Sequence, residues 1–123
     1  MMSLREVEQI HSLLIEKFGW TKGIRDRGLL ESSLNRPFQT FDGNDLYPGP
    51  IDKAAAIFES IISNHPFLDG NKRTAYVLMR LILKTYNLDI YIGQNEKYEF
   101  VIGAATGKFT YDEIRPWIKQ NTK

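Results

Sequence analysis

The residues of this chain best suited to chemistry lie side by side, in the run His65-Pro66-Phe67-Leu68-Asp69-Gly70-Asn71-Lys72-Arg73-Thr74. Pro66 disfavours helical geometry at the residue before it, so a preceding helix should end at His65. Phe67 is the expected anchor into the core, Asp69-Gly70 is a turn signature, and Asn71 should begin the next helix. Lys72 and Arg73 then fall in that helix's first turn. A helix start is already the positive end of the macrodipole and carries bare N–H groups, so each cation there costs about 0.3–1 kcal/mol. Local preference would have put Asp or Glu at these positions, and the violation marks a site. An anion resolves the conflict, and phosphate is the usual one. His65 lies just before this nest, where a neutral imidazole can take a proton from a hydroxyl. Asp69 can hold a Mg²⁺ that bridges phosphate oxygens. Together these make a set for phosphoryl or nucleotidyl transfer.

The elements that must carry this run are helical. Ser3 and Glu6 form a capping box for a first helix with apolar residues Leu4, Val7, Ile10, Leu14 and Phe18 at helical spacing, closed by Gly19. A second helix runs roughly from Asp26, its N-cap, to Arg36, with Leu29, Leu30 and Leu34 inward and Pro37 stopping it. Residues 37–50, PFQTFDGNDLYPGP, read as a loop whose length points to function. A helix over 51–64 faces Ala54, Ala55, Phe58, Ile61 and Ile62 inward; the next, over 71–86, is apolar most of the way round and belongs in the middle of a bundle. Residues 88–92 are extended or a short strand. A helix over 95–106 ends at Gly107, and Thr110 and Glu113 cap a last helix that Pro116 should kink or shorten. The class is mainly α.

The bulk numbers set the limits. The chain has 123 residues, enough for one domain over 1–123, and 42% hydrophobic content, enough for a core without disulfides. With no cysteine, disulfides and thiolate chemistry are excluded. The 16 basic and 15 acidic residues give +1, too balanced for a nucleic-acid binder, and no basic amphipathic helix suggests a membrane surface. The N-terminus does not resemble a signal peptide, and the most apolar stretch, over 77–83, holds Arg80 and is too short to span a bilayer. A soluble, cytoplasmic protein is expected.

The run over 65–74 resembles the motif of the Fic/Doc superfamily, in its death-on-curing (Doc) branch. Blocks over 24–37 (IRDRGLLESSLNRP), 45–48 (DLYP), 53–56 (KAAA) and 103–107 (GAATG) resemble family blocks in the expected order. The resemblance implies a helical bundle around a buried central helix, with a flap loop. It implies that His65 is the general base, Asp69 the magnesium-associated acid, Asn71 a phosphate-contacting amide and Arg73 a phosphate-binding arginine. Gly70 and Lys72 complete the nucleotide-binding run, with ATP and Mg²⁺ as cofactors. Lys72 stands where Fic-type AMP transferases have glycine; Doc-type proteins have lysine there and act as kinases on elongation factor Tu. Tyr76 stands where the Fic motif has a second arginine. The inhibitory Ser/Thr-x-x-x-Glu-Gly/Asn helix of many Fic proteins is approached at Ser12 to Glu16, but Lys17 follows. A separate antitoxin is therefore the implied partner.

At Thr74 and outside the motif the plainer readings prevail. His11 is structural, Thr74 is a helix-start hydroxyl, Tyr76, Met79 and Leu83 are core, and Arg25, Asp26, Arg27 and Glu31 form ion pairs. The loop over 37–50, with Phe38, Phe41, Leu46 and Tyr47, is either pinned to the core or a docking edge for an extended target segment. Three functions compete: a Doc-type kinase toxin, a nucleotidyl transferase that attaches AMP to a protein hydroxyl, and a binding module that kept the scaffold without catalysis. The survival of every catalytic residue type opposes the last.

Overall fold

The computed structural model describes residues 2–19 and 21–123. Its helices are α1 (Leu4–Phe18), α2 (Arg27–Asn35), α3 (Pro50–Asn64), α4 (Asn71–Thr85), α5 (Gln94–Ala105) and α6 (Tyr111–Gln120). The mainly α reading holds. The caps form as the residues require. The Ser3 hydroxyl accepts from Glu6 N–H at 3.1 Å, and Gly19 closes α1 in the left-handed region at φ 72. Asp26 caps α2 through Leu29 N–H at 2.9 Å. Thr110 N–H reaches the Glu113 carboxylate at 2.8 Å. Pro116 does not end α6, which runs on to Gln120.

The loop over 37–50 holds more order than its prolines suggested. Arg36–Phe38 is a 3-10 turn, and Thr40–Phe41 (β1) pairs antiparallel with Asn44–Asp45 (β2). Asp42 and Gly43 turn the hairpin at φ 50 and 77, the Asp-Gly signature of a two-residue connection. Pro50 opens α3, where its missing N–H costs nothing. Residues 88–92 are extended and form a single bridge, Ile90 to Thr122, with no ladder.

One hydrophobic cluster draws on all the helices, through Val7, Leu30, Phe58, Leu78, Phe100 and Ile114 among others. Helix α4 lies in the bundle, but α3 is the more central: it packs on α2, α4, α5 and α6, while α4 keeps Lys72, Arg73 and Lys84 in solvent. An aromatic stack joins α3, α5 and α6, with Phe58 to Phe100 at 5.0 Å and Phe100 to Trp117 at 3.6 Å. Gly103 makes room for this end of the core, since a Cβ there would lie 2.2 Å from the Phe109 ring. On α1 the buried line is Val7, His11 and Ile15; Ile10 and Leu14 sit at its margin and Phe18 is 36% exposed. The buried face thus includes His11, whose Nε2 meets the Asp69 carbonyl at 2.8 Å. Among the described residues, no helix is long and apolar enough to cross a membrane.

Arg80 of α4 holds Asp89 by two hydrogen bonds, at 2.9 and 2.7 Å, and so ties the extended segment to the bundle. The Arg80 guanidinium is the main reason the Asp89 carboxyl falls from 3.8 to about 2, with Ile90 N–H and Lys84 assisting and burial opposing. A depressed carboxylate stabilises the fold above its unfolded pKa, and that contribution disappears as pH falls through about 2. Because Arg80 is 39% exposed, solvent screening leaves about 1 kcal/mol. Asp89→Asn should therefore lower stability by about 1 kcal/mol at pH 7 and much less near pH 2, as read by urea unfolding at both pH values.

Candidate active site

The residues of the motif occupy the turn between α3 and α4. His65 closes α3 at φ 47, ψ 57, left-handed rather than extended, with its N–H on Ile61 C=O at 3.1 Å. A non-glycine residue pays roughly 1–2 kcal/mol for that conformation. Arg25 opposes the strain: its Nε donates to His65 C=O and its Nη2 to Asn64 C=O, both at 2.6 Å. These are charge-assisted bonds to carbonyls that the helix end leaves unpaired. The His65 ring itself is exposed and hydrogen-bonds no described residue, which leaves it open to a substrate proton.

Residues 23–26 grip the turn through the main chain. Arg25 N–H and Asp26 N–H donate to Pro66 C=O at 2.8 and 3.1 Å, and Leu68 N–H donates to Gly23 C=O at 3.0 Å. Gly23 stands at φ 132, and a Cβ there would meet the Leu68 side chain at 3.0 Å. Ion pairing was expected of this block, and for most of it that expectation is corrected. Arg27 alone pairs, with Glu8 at 3.2 Å; Arg25 and Asp26 serve the backbone, and Glu31 makes no ion pair among the described residues. The sequence holds no signal for this, because carbonyl acceptors have no side-chain code.

Phe67 is 1% exposed and anchors the turn as expected. Its main chain is closed by Asn71, whose Oδ1 accepts from Phe67 N–H and whose Nδ2 donates to Phe67 C=O, both at 3.0 Å. Asn71 thus shapes the turn, and one of its amide hydrogens is left for a ligand. Gly70 precedes α4 at φ 74. With no side chain it cannot cap the helix, and no acidic residue occupies the first turn. Among the described residues the first N–H groups of α4 are therefore left without a side-chain cap. Lys72 and Arg73 are exposed at that helix start, while Thr74 is 0% exposed.

Lys72 and Arg73 also line a groove of about 620 Å³ between α1, α4 and α5. Lys17, Arg80 and Lys97 line it too, with Phe18, Tyr76 and Tyr98, and among the described residues no carboxylate is in its walls. Arg73 lies 3.9 Å from the centre of the Phe18 ring, and Lys97 lies 4.6 Å from that of Tyr76. Burial, then the like charges of Arg73 and Arg80, push the Lys97 ammonium below its ordinary value. The groove is thus charged against itself and suited to an anionic ligand.

Asp69 is half-buried, its carboxylate accepting from Gly70 N–H at 2.9 Å and Thr21 N–H at 3.3 Å. Among the described residues no three His, Asp or Glu side chains converge on one point. A single carboxylate such as that of Asp69 could take part in holding Mg²⁺, which takes one or two carboxylates and fills its remaining positions with substrate phosphate and water.

The model of the Fic/DOC family matches residues 1–83, which include the whole turn and the segment that grips it. The chain belongs to the Fic/DOC family. It is 49% identical over 59 residues to Toxin Doc of Mycolicibacterium smegmatis, a stretch covering 48% of this chain and 45% of that protein, less than half of its length. It is 24% identical over 119 residues to Protein kinase doc of Escherichia phage P1, covering 97% of this chain and 93% of that one. Within the Fic/DOC family the chain resembles the Doc branch. Tyr76, in place of the second arginine of the Fic motif, is buried at 6%, and the cation over its ring comes instead from Lys97 of α5.

The strain at His65 yields a prediction. His65→Gly should keep or slightly raise stability, by up to about 1 kcal/mol, because glycine accepts the left-handed conformation freely. If His65 is the base, both His65→Gly and His65→Ala should lose about 10²–10⁴-fold in transfer rate. Thermal unfolding and a transfer assay on the same samples check both halves.

Proposed function

We propose that this Fic/DOC protein is a Doc-type toxin that transfers the γ-phosphate of ATP to a hydroxyl of a target protein and is silenced by a separate antitoxin. The observation that carries this reading is the start of α4, which has no side-chain cap and no carboxylate, bears Lys72 and Arg73, and follows an exposed His65. The first-turn N–H groups, the Lys72 and Arg73 side chains and the remaining hydrogen of Asn71 would hold the γ-phosphate. His65 would accept the proton of the target hydroxyl as its oxygen attacks phosphorus in line. The bond from phosphorus to the bridging oxygen breaks, and ADP leaves. Asp69 would hold Mg²⁺ against the nucleotide's oxygens, where the ion supplies charge neutralisation.

Lys72 supports phosphate transfer over AMP transfer. A long cationic chain stands where the Fic-type arrangement has glycine and room for the outer phosphates, so the triphosphate should lie differently. The names of the two relatives, a Doc toxin and a protein kinase, agree with this reading. The target proposed, from the resemblance to Doc-type proteins, is elongation factor Tu, with the reaction in the cytoplasm. The hairpin, with Phe41 69% and Leu46 51% exposed, offers an edge for an extended target segment. An acidic antitoxin segment would suit the cationic groove and would cover Lys72 and Arg73.

Parallel reactions with ATP labelled at the γ- or the α-phosphate separate the readings. Label should reach the target from the γ-position alone; label from the α-position would show AMP transfer instead. Lys72→Gly should weaken phosphate transfer. Expression of the protein alone should arrest bacterial growth, and co-expression of its partner should restore it. Growth unaffected by abundant active protein would remove the toxin role.

A further inference from the structure

His11 is the buried side chain that this reading leaves without a function. It lies on α1, 3% exposed, and reaches a residue far along the chain: its Nε2 is 2.8 Å from the main-chain carbonyl oxygen of Asp69. A carbonyl only accepts, so Nε2 carries the proton and donates. The ring is held in place by Phe67, with centroids 3.8 Å apart and planes 8° from parallel. The hydrogen bond and the stack therefore grip two residues of the same turn.

We infer that His11 is a positioning residue for the Asp69 carboxylate. The carbonyl of Asp69 and the N–H of Gly70 belong to the same planar unit and point in opposite directions. Holding the carbonyl toward α1 aims the Gly70 N–H the other way, and that N–H is what Asp69 Oδ1 accepts, at 2.9 Å. The second oxygen is steadied by Thr21 N–H at 3.3 Å. If the peptide turned over, the Gly70 N–H would leave the carboxylate and Gly70 would leave its left-handed conformation at φ 74. One imidazole thus sets the direction of the carboxylate proposed to hold Mg²⁺. A purely structural His11 would hold α1 to the bundle without affecting it.

The inference rests on the metal role proposed for Asp69, and the test has one arm that does not. His11→Phe keeps a ring to stack on Phe67 and removes the donor; His11→Gln places an amide N–H close to where Nε2 stands. The first arm is amide hydrogen exchange of the intact protein without nucleotide. Gly70 N–H should exchange at least about tenfold faster in His11→Phe, with the α3 core unchanged, and return toward wild type in His11→Gln. The second arm is the Mg²⁺ concentration for half-maximal phosphate transfer, expected to rise about 10–100-fold in His11→Phe, the usual effect of losing a group that orients a ligand, and to recover in His11→Gln. A folded His11→Phe with wild-type Gly70 exchange and Mg²⁺ requirement overturns the inference. So does His11→Gln impaired as much as His11→Phe. A wild-type protein that transfers no phosphate defeats the proposed function, while the exchange arm still decides what His11 does to the turn.

Discussion

The site depends on a conflict at one turn. The end of α3 presents unpaired carbonyls, the start of α4 must keep its N–H groups bare, and only residues 65–70 separate the two helices. A free loop of that kind would relax by capping α4 with its own side chains and by letting His65 leave the left-handed region. The chain prevents this from outside the motif. Arg25 satisfies the carbonyls of Asn64 and His65, residues 23–26 hold Pro66 and Leu68 by the main chain, and Asn71 closes on Phe67. These bonds occupy main-chain groups of the turn, and among the described residues α4 keeps no side-chain cap.

Electrostatics gives that geometry its direction. The cationic groove between α1, α4 and α5 runs on from the helix start, and burial first, then the like charges of Arg73 and Arg80, hold the Lys97 ammonium below its ordinary value. Such an arrangement is unfavourable for the folded chain alone and favourable once an anion enters. Arg80 is relieved of part of this tension by Asp89, which lies outside the groove's lining and leaves the groove free of carboxylates. Stability and ligand affinity thus pull against each other along α4, as they do at His65.

The hairpin over residues 40–45 has a different support. Lys53, buried on α3, donates to Tyr47 C=O and lies 3.6 Å from Asp45. Arg36 bonds Tyr47 at 3.0 Å and Ser60 at 2.8 Å and pairs with Glu59. These bonds fix the base of the hairpin to α3 while β1 and β2 themselves stay exposed. A rigid base under an exposed edge is what a docking strand needs.

By itself the sequence determined the helices, their caps, the break at Pro66 and the two cations, Lys72 and Arg73, in the first turn of α4. Each of these is a local matter: capping needs a side chain three residues away, and a misplaced cation shows against the helix dipole without knowledge of the fold. It also supplied the resemblance to the Fic/Doc superfamily, because the motif is contiguous. What it could not show was how the motif is held. Arg25 and Lys53 look like ordinary surface cations, and their partners are backbone carbonyls, which every residue carries. His11 reads as a polar residue on an apolar stripe until Asp69, 58 positions away, is seen beneath it. The hairpin was within reach through Asp42-Gly43, but strands of two residues leave no periodicity to read. Tertiary structure decided these points because they depend on contacts between distant main-chain groups, and main-chain groups are the same in every sequence.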